Sequence, residues 1–148
     1  MTYGSGVAPH ISVRVPEDWS LDGRVPGTFV ATAPEIEGAL FRPTVVMTSA
    51  PTSGPVHVVS AEAIASILAS GLRAQLLSVT TERLHGLPDR TIEYGYDGDE
   101  TWVCVRHWLA VVEDVQVHVT GSCGVEEFSV FGPVFRSVLA TFRAERTS

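Results

Sequence analysis

Residues Trp102–Val112 read WVCVRHWLAVV, and beyond Glu113-Asp114 the chain continues as VQVHVTGS over Val115–Ser122. The first run is apolar at nearly every position rather than at every second one, the pattern of a central strand covered on both faces. Glu113-Asp114 interrupts it at the spacing of a tight reversal. A two-residue turn there pairs Val112 with Val115. Counting outward, it sets Cys104 opposite Cys123, His107 opposite Thr120 and Leu109 opposite His118. After Gly124, residues Phe128, Phe131, Phe135, Val138, Leu139 and Phe142 fall on one helical stripe. Glu126-Glu127 belong to the first turn of that helix, where they offset its dipole. Pro133 lies inside the pattern and predicts a kink or a helix start nearby.

Moving upstream, Asp97-Gly98-Asp99 is a turn signal that leads back to a strand over Arg90–Tyr96. A two-residue turn at Gly98-Asp99 places Ile92 and Tyr94 on the face of Val103, Val105 and Leu109. Val115, Val117 and Val119 share the opposite face with Cys104 and Trp108. The sheet is therefore covered on both faces, or one hairpin carries a bulge or a longer loop. Leu76–Leu84 has strand-type Val and Thr content. Before it, Ser60 is the expected N-cap of a helix with Glu62 in its first turn and a buried stripe of Ile64, Ile67, Leu68 and Leu72. Gly71, on the same face, predicts a close approach to another element. Ile11–Val15, Phe29–Thr32 and Thr44–Thr48 are further strands. Residues 20–28, with Gly23, Pro26 and Gly27, form a loop, and Pro51–Pro55 a second break. Strands, one helix, several antiparallel strands and a final helix give an α+β protein: an antiparallel sheet flanked by helices, not a doubly wound parallel sheet.

At 148 residues, with 45% hydrophobic and 18% charged side chains, the chain makes one domain with a self-sufficient core. Residues 10–143 form that domain, and 1–9 and 144–148 are expected to be flexible termini. A net charge of −7 argues against nucleic acid and against anionic lipid as partners. All ten basic residues are arginine, which points to a GC-rich genome such as an actinobacterium's. MTYGSGVAPH has no charged start followed by an apolar core, and no stretch approaches a membrane span. The expectation is a cytoplasmic protein, in which Cys104 and Cys123 are buried thiols.

Val-Pro-Glu-Asp-Trp at 15–19, MTSAP at 47–51 and the ending VQVHVTGSCGVEEFSVFGPVFRSVLATFR at 115–143 together resemble the PsbP-like superfamily over residues 10–143. Its members include the oxygen-evolving subunit of photosystem II, a Ran-binding nuclear import factor, effector chaperones of type VI secretion and LpqN-type actinobacterial lipoproteins. The resemblance implies an α/β/α sandwich and binding or assembly roles rather than catalysis. The chain departs from the lipoproteins in lacking a signal sequence and lipobox cysteine.

The chemical candidates are few. His107 and His118 sit diagonally on one face and could share a metal, but no acid lies on that face of either strand to serve as third ligand. There is no Gly-x-Ser-x-Gly, no phosphate-cradling glycine loop and no activating motif around either cysteine. Trp102 and Trp108 suit the core, and Trp19 packs against the sheet end. Arg106 stands out in an apolar strand. If buried, it needs an acid such as Glu93 on the neighbouring strand; otherwise it marks a polar cavity or contact surface. The leading expectation is a non-catalytic protein-binding module of adaptor or chaperone type, monomeric or homodimeric, with no cofactor, metal or catalytic residue. The alternative is a small-ligand-binding domain with a pocket between sheet and helix, in which Arg106 receives an anion. A metal-dependent enzyme built on the histidine pair stands third.

Overall fold

A computed structural model describes residues 2–4 and 10–145. Two long strands, β8 (Trp102–Val112) and β9 (Val115–Gly124), form its centre. Glu113 and Asp114 both take positive φ (45° and 63°), the backbone that a two-residue hairpin turn requires. The register is the one expected: Cys104 opposes Cys123, His107 opposes Thr120 and Leu109 opposes His118. Around this hairpin lie β3 (Ser20–Asp22), β4 (Thr28–Thr32), β5 (Thr44–Pro51), β6 (Gln75–Thr80) and β7 (Asp89–Asp97). They assemble an antiparallel seven-stranded sheet in the order β3-β4-β5-β9-β8-β7-β6. β7 meets β8 through a four-residue loop, Gly98–Thr101, rather than a two-residue turn. The pairing slips by two positions, which leaves every side chain on the expected face.

A second, three-stranded sheet is made by β1 (Thr2–Gly4), β2 (His10–Arg14) and β10 (Arg143–Glu145) in the order β1-β2-β10. Parts of both stretches expected to be flexible termini thus pair onto β2 as strands. Met1, residues 5–9 and residues 146–148 lie outside the described residues.

Both faces of the large sheet are covered. One carries Met47, Trp108, Ala110, Val117, Val119 and Cys123 against helix α2 (Phe128–Ala140), with Ile11, Val13 and Trp19 closing the core. The stripe on α2 is buried at Phe131, Phe135, Val138 and Leu139, and continues to Phe142, whose ring meets Trp108 edge-on at 4.9 Å. Pro133 sits inside the helix. A single 3-10 turn, Val125–Glu127, precedes α2, so Glu126 and Glu127 lie just ahead of it. Two glycines allow close approach on this face. A Cβ at Gly121 would lie 2.5 Å from the Phe135 ring, and one at Gly95 would fall inside the Trp102 indole.

Helix α1 (Val56–Ala69) covers the other face through Val56, Val59, Ala63, Ile64 and Ile67, against Ile92 and Leu109. It begins four residues before the expected cap. Pro55, extended at φ −72°, is the last residue before it, and Ser60 is buried within it. Leu68 and Leu72, expected in the core, are 58% and 45% exposed. Gly71 has φ +79° with open space around its Cβ direction, so it turns the chain out of the helix and makes no close approach.

At the edge of the α2-covered face sits a buried carboxylate, Asp89. Its Oδ1 accepts from the backbone N–H groups of Glu82 (3.0 Å) and Arg83 (2.7 Å); its Oδ2 accepts from Leu84 N–H (2.9 Å) and Trp108 Nε1–H (2.9 Å). Burial pushes its pKa up, but the bonds from Trp108 and the three amides outweigh it and hold the group below the ordinary 3.8. They also stabilise a loop in which Arg83 and His85 take positive φ. Asp89→Ala should destabilise the fold by roughly 3 kcal/mol in urea unfolding, against under about 0.5 kcal/mol for exposed Asp18→Ala. Equal effects of the two substitutions would remove Asp89 from this role. Because its folded pKa is depressed, this contribution is complete above 3.8 and fades as pH falls through the lower folded value.

Candidate functional site

Arg106 projects from β8 on the α2 side, beside Gly121 and Phe135. The expected acid is there: Nη1 donates to Glu93 Oε1 at 3.0 Å. A second acid joins it, for Nη2 donates to Glu82 Oε1. Glu82 arrives from the loop that Asp89 holds, so one buried carboxylate positions the partner of another buried charge. The arginine side chain is only 13% exposed, its Nε is buried without a partner, and the cavity beside it measures about 10 Å³. That space holds one water at most. Arg106 therefore has its charge taken by two carboxylates, and the cavity beside it offers no room for a further anion.

Room exists on the other face. Along α1, Val59, Glu62, Ala63, Ser66 and Ile67 form one stripe at helical spacing, and below it the sheet presents Tyr94, His107, Gln116, His118 and Thr120. They enclose an open groove of about 410 Å³. The groove exists because α1 turns small or polar residues toward a floor whose β9 positions are polar as well. Large apolar residues at 62, 63 and 66 would fill it.

The two histidines on this floor are bonded to one another, His107 Nε2 to His118 Nδ1 at 2.7 Å with ring centroids 4.9 Å apart. Gln116, through the orientation of its amide, decides between the two tautomer arrangements open to the pair, and the tautomers follow from that orientation. Its Nε2 donates to Pro51 O at 3.5 Å, which turns its Oε1 toward His118 Nε2 at 2.8 Å. His118 Nε2–H therefore donates, His118 Nδ1 is the acceptor, and His107 Nε2–H donates to it. His107 Nδ1 is left as an unprotonated acceptor, neither bonded nor sealed from solvent. Burial, then the charge of His118, lowers the His107 pKa to about 4, and burial lowers that of His118. Among the described residues no group of three or more His, Cys, Asp or Glu is placed to hold a metal ion.

Cys104 and Cys123 face one another as free thiols. Burial, then Cys104 and Glu127, push Cys123 up to about 12; burial, then Glu126, raises Cys104. Both stay protonated and neither is an activated nucleophile. Trp19 is buried and meets Phe131 at 6.1 Å, which accounts for it as core. The groove was partly legible, since the diagonal His107–His118 relation follows from the hairpin register. Glu62, Ser66 and Gln116 were not, because their meeting depends on where α1 starts and which way it faces.

The buried histidine pair has a stability signature. The unfolded chain takes up protons near 6.5, whereas folded His107 does so only near about 4, so stability falls as pH drops through that window. The expected loss is roughly 2–3 kcal/mol, read as a shift of urea midpoints, and His107→Gln should remove most of the slope. His107 imidazole resonances that titrate at the ordinary 6.5 in the folded protein would contradict it.

No family model matches this chain, and no curated protein matches it in sequence. Several solved structures match its fold. LpqN of Mycobacterium tuberculosis, described as involved in cell envelope biogenesis, superposes with a TM-score of 0.72 at 14% identity, covering 98% of this chain and 91% of its own. The cyanobacterial PsbP (CyanoP) of Synechocystis sp. PCC 6803 gives 0.69 at 14% identity, covering 97% and 91%. PA94 of Pseudomonas aeruginosa, a protein of unknown function described as a putative regulator, gives 0.69 at 12% identity, covering 88% and 99%. The chain has the PsbP-like fold, as the resemblance of its turn and C-terminal motifs implied.

Proposed function

We propose that this chain is a non-catalytic protein-binding module of adaptor or chaperone type. The observation that carries the reading is the free edge of the large sheet. Among the described residues β6 pairs with β7 alone, so its outer row of backbone N–H and C=O groups is left without a strand partner there. Its sequence, QLLSVT, holds no charge, and Leu76, Leu77 and Val79 are 41%, 64% and 42% exposed. Exposed Leu68 and Leu72 adjoin it in the chain and extend the apolar character beyond the strand. Edge strands are ordinarily blunted by charge, and here a bulge between Leu76 and Ser78 is the protection present. Such an edge suits strand addition by an extended segment of another protein. No helix among the described residues is long and apolar enough to cross a membrane. A bacterial cytoplasmic setting belongs to the same reading.

A photo-crosslinking residue at Leu77, introduced in the source cell, should capture one defined partner. The same residue at Ser20, on the opposite edge strand, should not. Val79→Lys, introduced beside the crosslinker at position 77, should abolish capture while changing stability by under about 0.5 kcal/mol. Equal capture at both edges, or none at Leu77, would defeat the reading. Sedimentation of the purified protein separates a self-pairing edge from one that binds another chain.

The groove beneath α1 favours a second reading, a small-ligand-binding domain. Its volume of about 410 Å³ lies within the range of small-molecule sites. This moves the expected pocket between sheet and helix away from Arg106 and onto the opposite face.

A further inference from the structure

We propose that the groove beneath α1 binds a protonated primary amine carried on a short apolar body. The assignment rests on the ligand-binding reading of the groove and adds the chemical class of its occupant. Four titratable groups line the space: Glu62 from α1, Tyr94 from β7, His107 from β8 and His118 from β9. Of these only Glu62 carries a charge near neutral pH. Burial keeps both histidines neutral, and burial, then Tyr96, raises Tyr94 further from ionisation. The groove therefore has one negative charge at its exposed rim and no positive charge to answer it.

The hydrogen-bonding valence of the floor has the same sense. The bond chain Gln116–His118–His107 consumes both imidazole N–H groups internally. What it presents is an acceptor, His107 Nδ1. The hydroxyls of Thr120, Ser66 and Tyr94 can accept as well. An ammonium group has three donors and no acceptor, so it satisfies an imidazole nitrogen, a carboxylate and a hydroxyl together. A carboxylate or phosphate could draw on the hydroxyl and Gln116 donors but would face the His107 Nδ1 lone pair and the Glu62 carboxylate. Val59, Ala63 and Ile67 on the helix stripe form the apolar wall along which a short aliphatic body would lie.

The test is an NMR titration of the full chain with n-butylammonium, n-butanol and butanoate at constant ionic strength, read on backbone amides and imidazole nitrogens. Butylammonium should produce saturable shifts at His107 and over residues 59–67, with butanol weaker and butanoate weakest. Glu62→Gln should weaken butylammonium about fivefold, and Glu37→Gln, exposed elsewhere, should leave it unchanged. Well-dispersed spectra of both variants confirm that they fold. Butanoate or butanol saturating the groove as tightly as butylammonium would overturn the amine assignment while sustaining the ligand reading. An absence of saturable shifts with all three probes, or shifts confined to other surfaces, would overturn both.

Discussion

The carboxylate of Asp89 is the point through which one side of this structure is fastened. It is 1% exposed and accepts four hydrogen bonds, three from consecutive backbone amides and one from the indole of Trp108. A buried anion is tolerated only when its lone pairs are answered, and here the answer comes from a loop that would otherwise carry unpaired amides. The same bonds set the direction of Glu82, which with Glu93 neutralises Arg106. Three acids and one base thus share the edge of an otherwise apolar core, next to Phe135 and Trp108. The arrangement leaves a cavity of only about 10 Å³ beside Arg106, too small for a guest.

The contrast between the faces follows from the two helices. α2 brings Phe131 and Phe135, with Phe142 just beyond its end, and glycine at 121 lets the helix come down on the sheet. Aromatic side chains each bury a large area, so that side packs to completion. α1 is built mainly of Val, Ala, Ser and Ile, with only Val59 and Ser60 buried. Its short side chains reach Ile92 and Leu109 but leave β9 beneath it uncovered at Gln116, His118 and Thr120. The groove is the space that small helix residues fail to fill, and the polar floor is what makes that space hydratable rather than a void.

Much of this was legible in the sequence wherever a physical rule acts locally. The two-residue turn at Glu113-Asp114 fixed the β8–β9 register, and with it the cysteine and histidine relations. The Glu93–Arg106 pair followed from the requirement that a buried guanidinium find an acid. The aromatic stripe of α2 announced itself by period. What escaped depends on partners far away in the chain. β3 is three residues long and exists because β4 offers it an edge. β1 and β10 come from opposite ends of the chain to pair on β2. The β-branched opening of α1, Val56–Val59, looks unlike helix until the sheet beneath it is present. Asp89 escapes a local reading altogether, since its importance lies in three amides five to seven residues upstream and an indole nineteen residues downstream.

The two surfaces to which function is attributed meet at α1 but do not overlap on it. Val59, Glu62, Ala63 and Ser66 line the groove, whereas Leu68 stands nine positions beyond Val59, about two and a half turns on, and so on the far side of the helix. Leu72 and the β6 edge continue outward from there. Substitutions on one stripe therefore leave the side chains of the other untouched. A guest in the groove needs α1 docked, because half of the lining belongs to it. A strand added to β6 needs only the sheet, whose order is held by β7 and the hairpin at its centre. Binding at the edge should survive loosening of the helix, and binding in the groove should not, so the two readings are physically separable within a single chain.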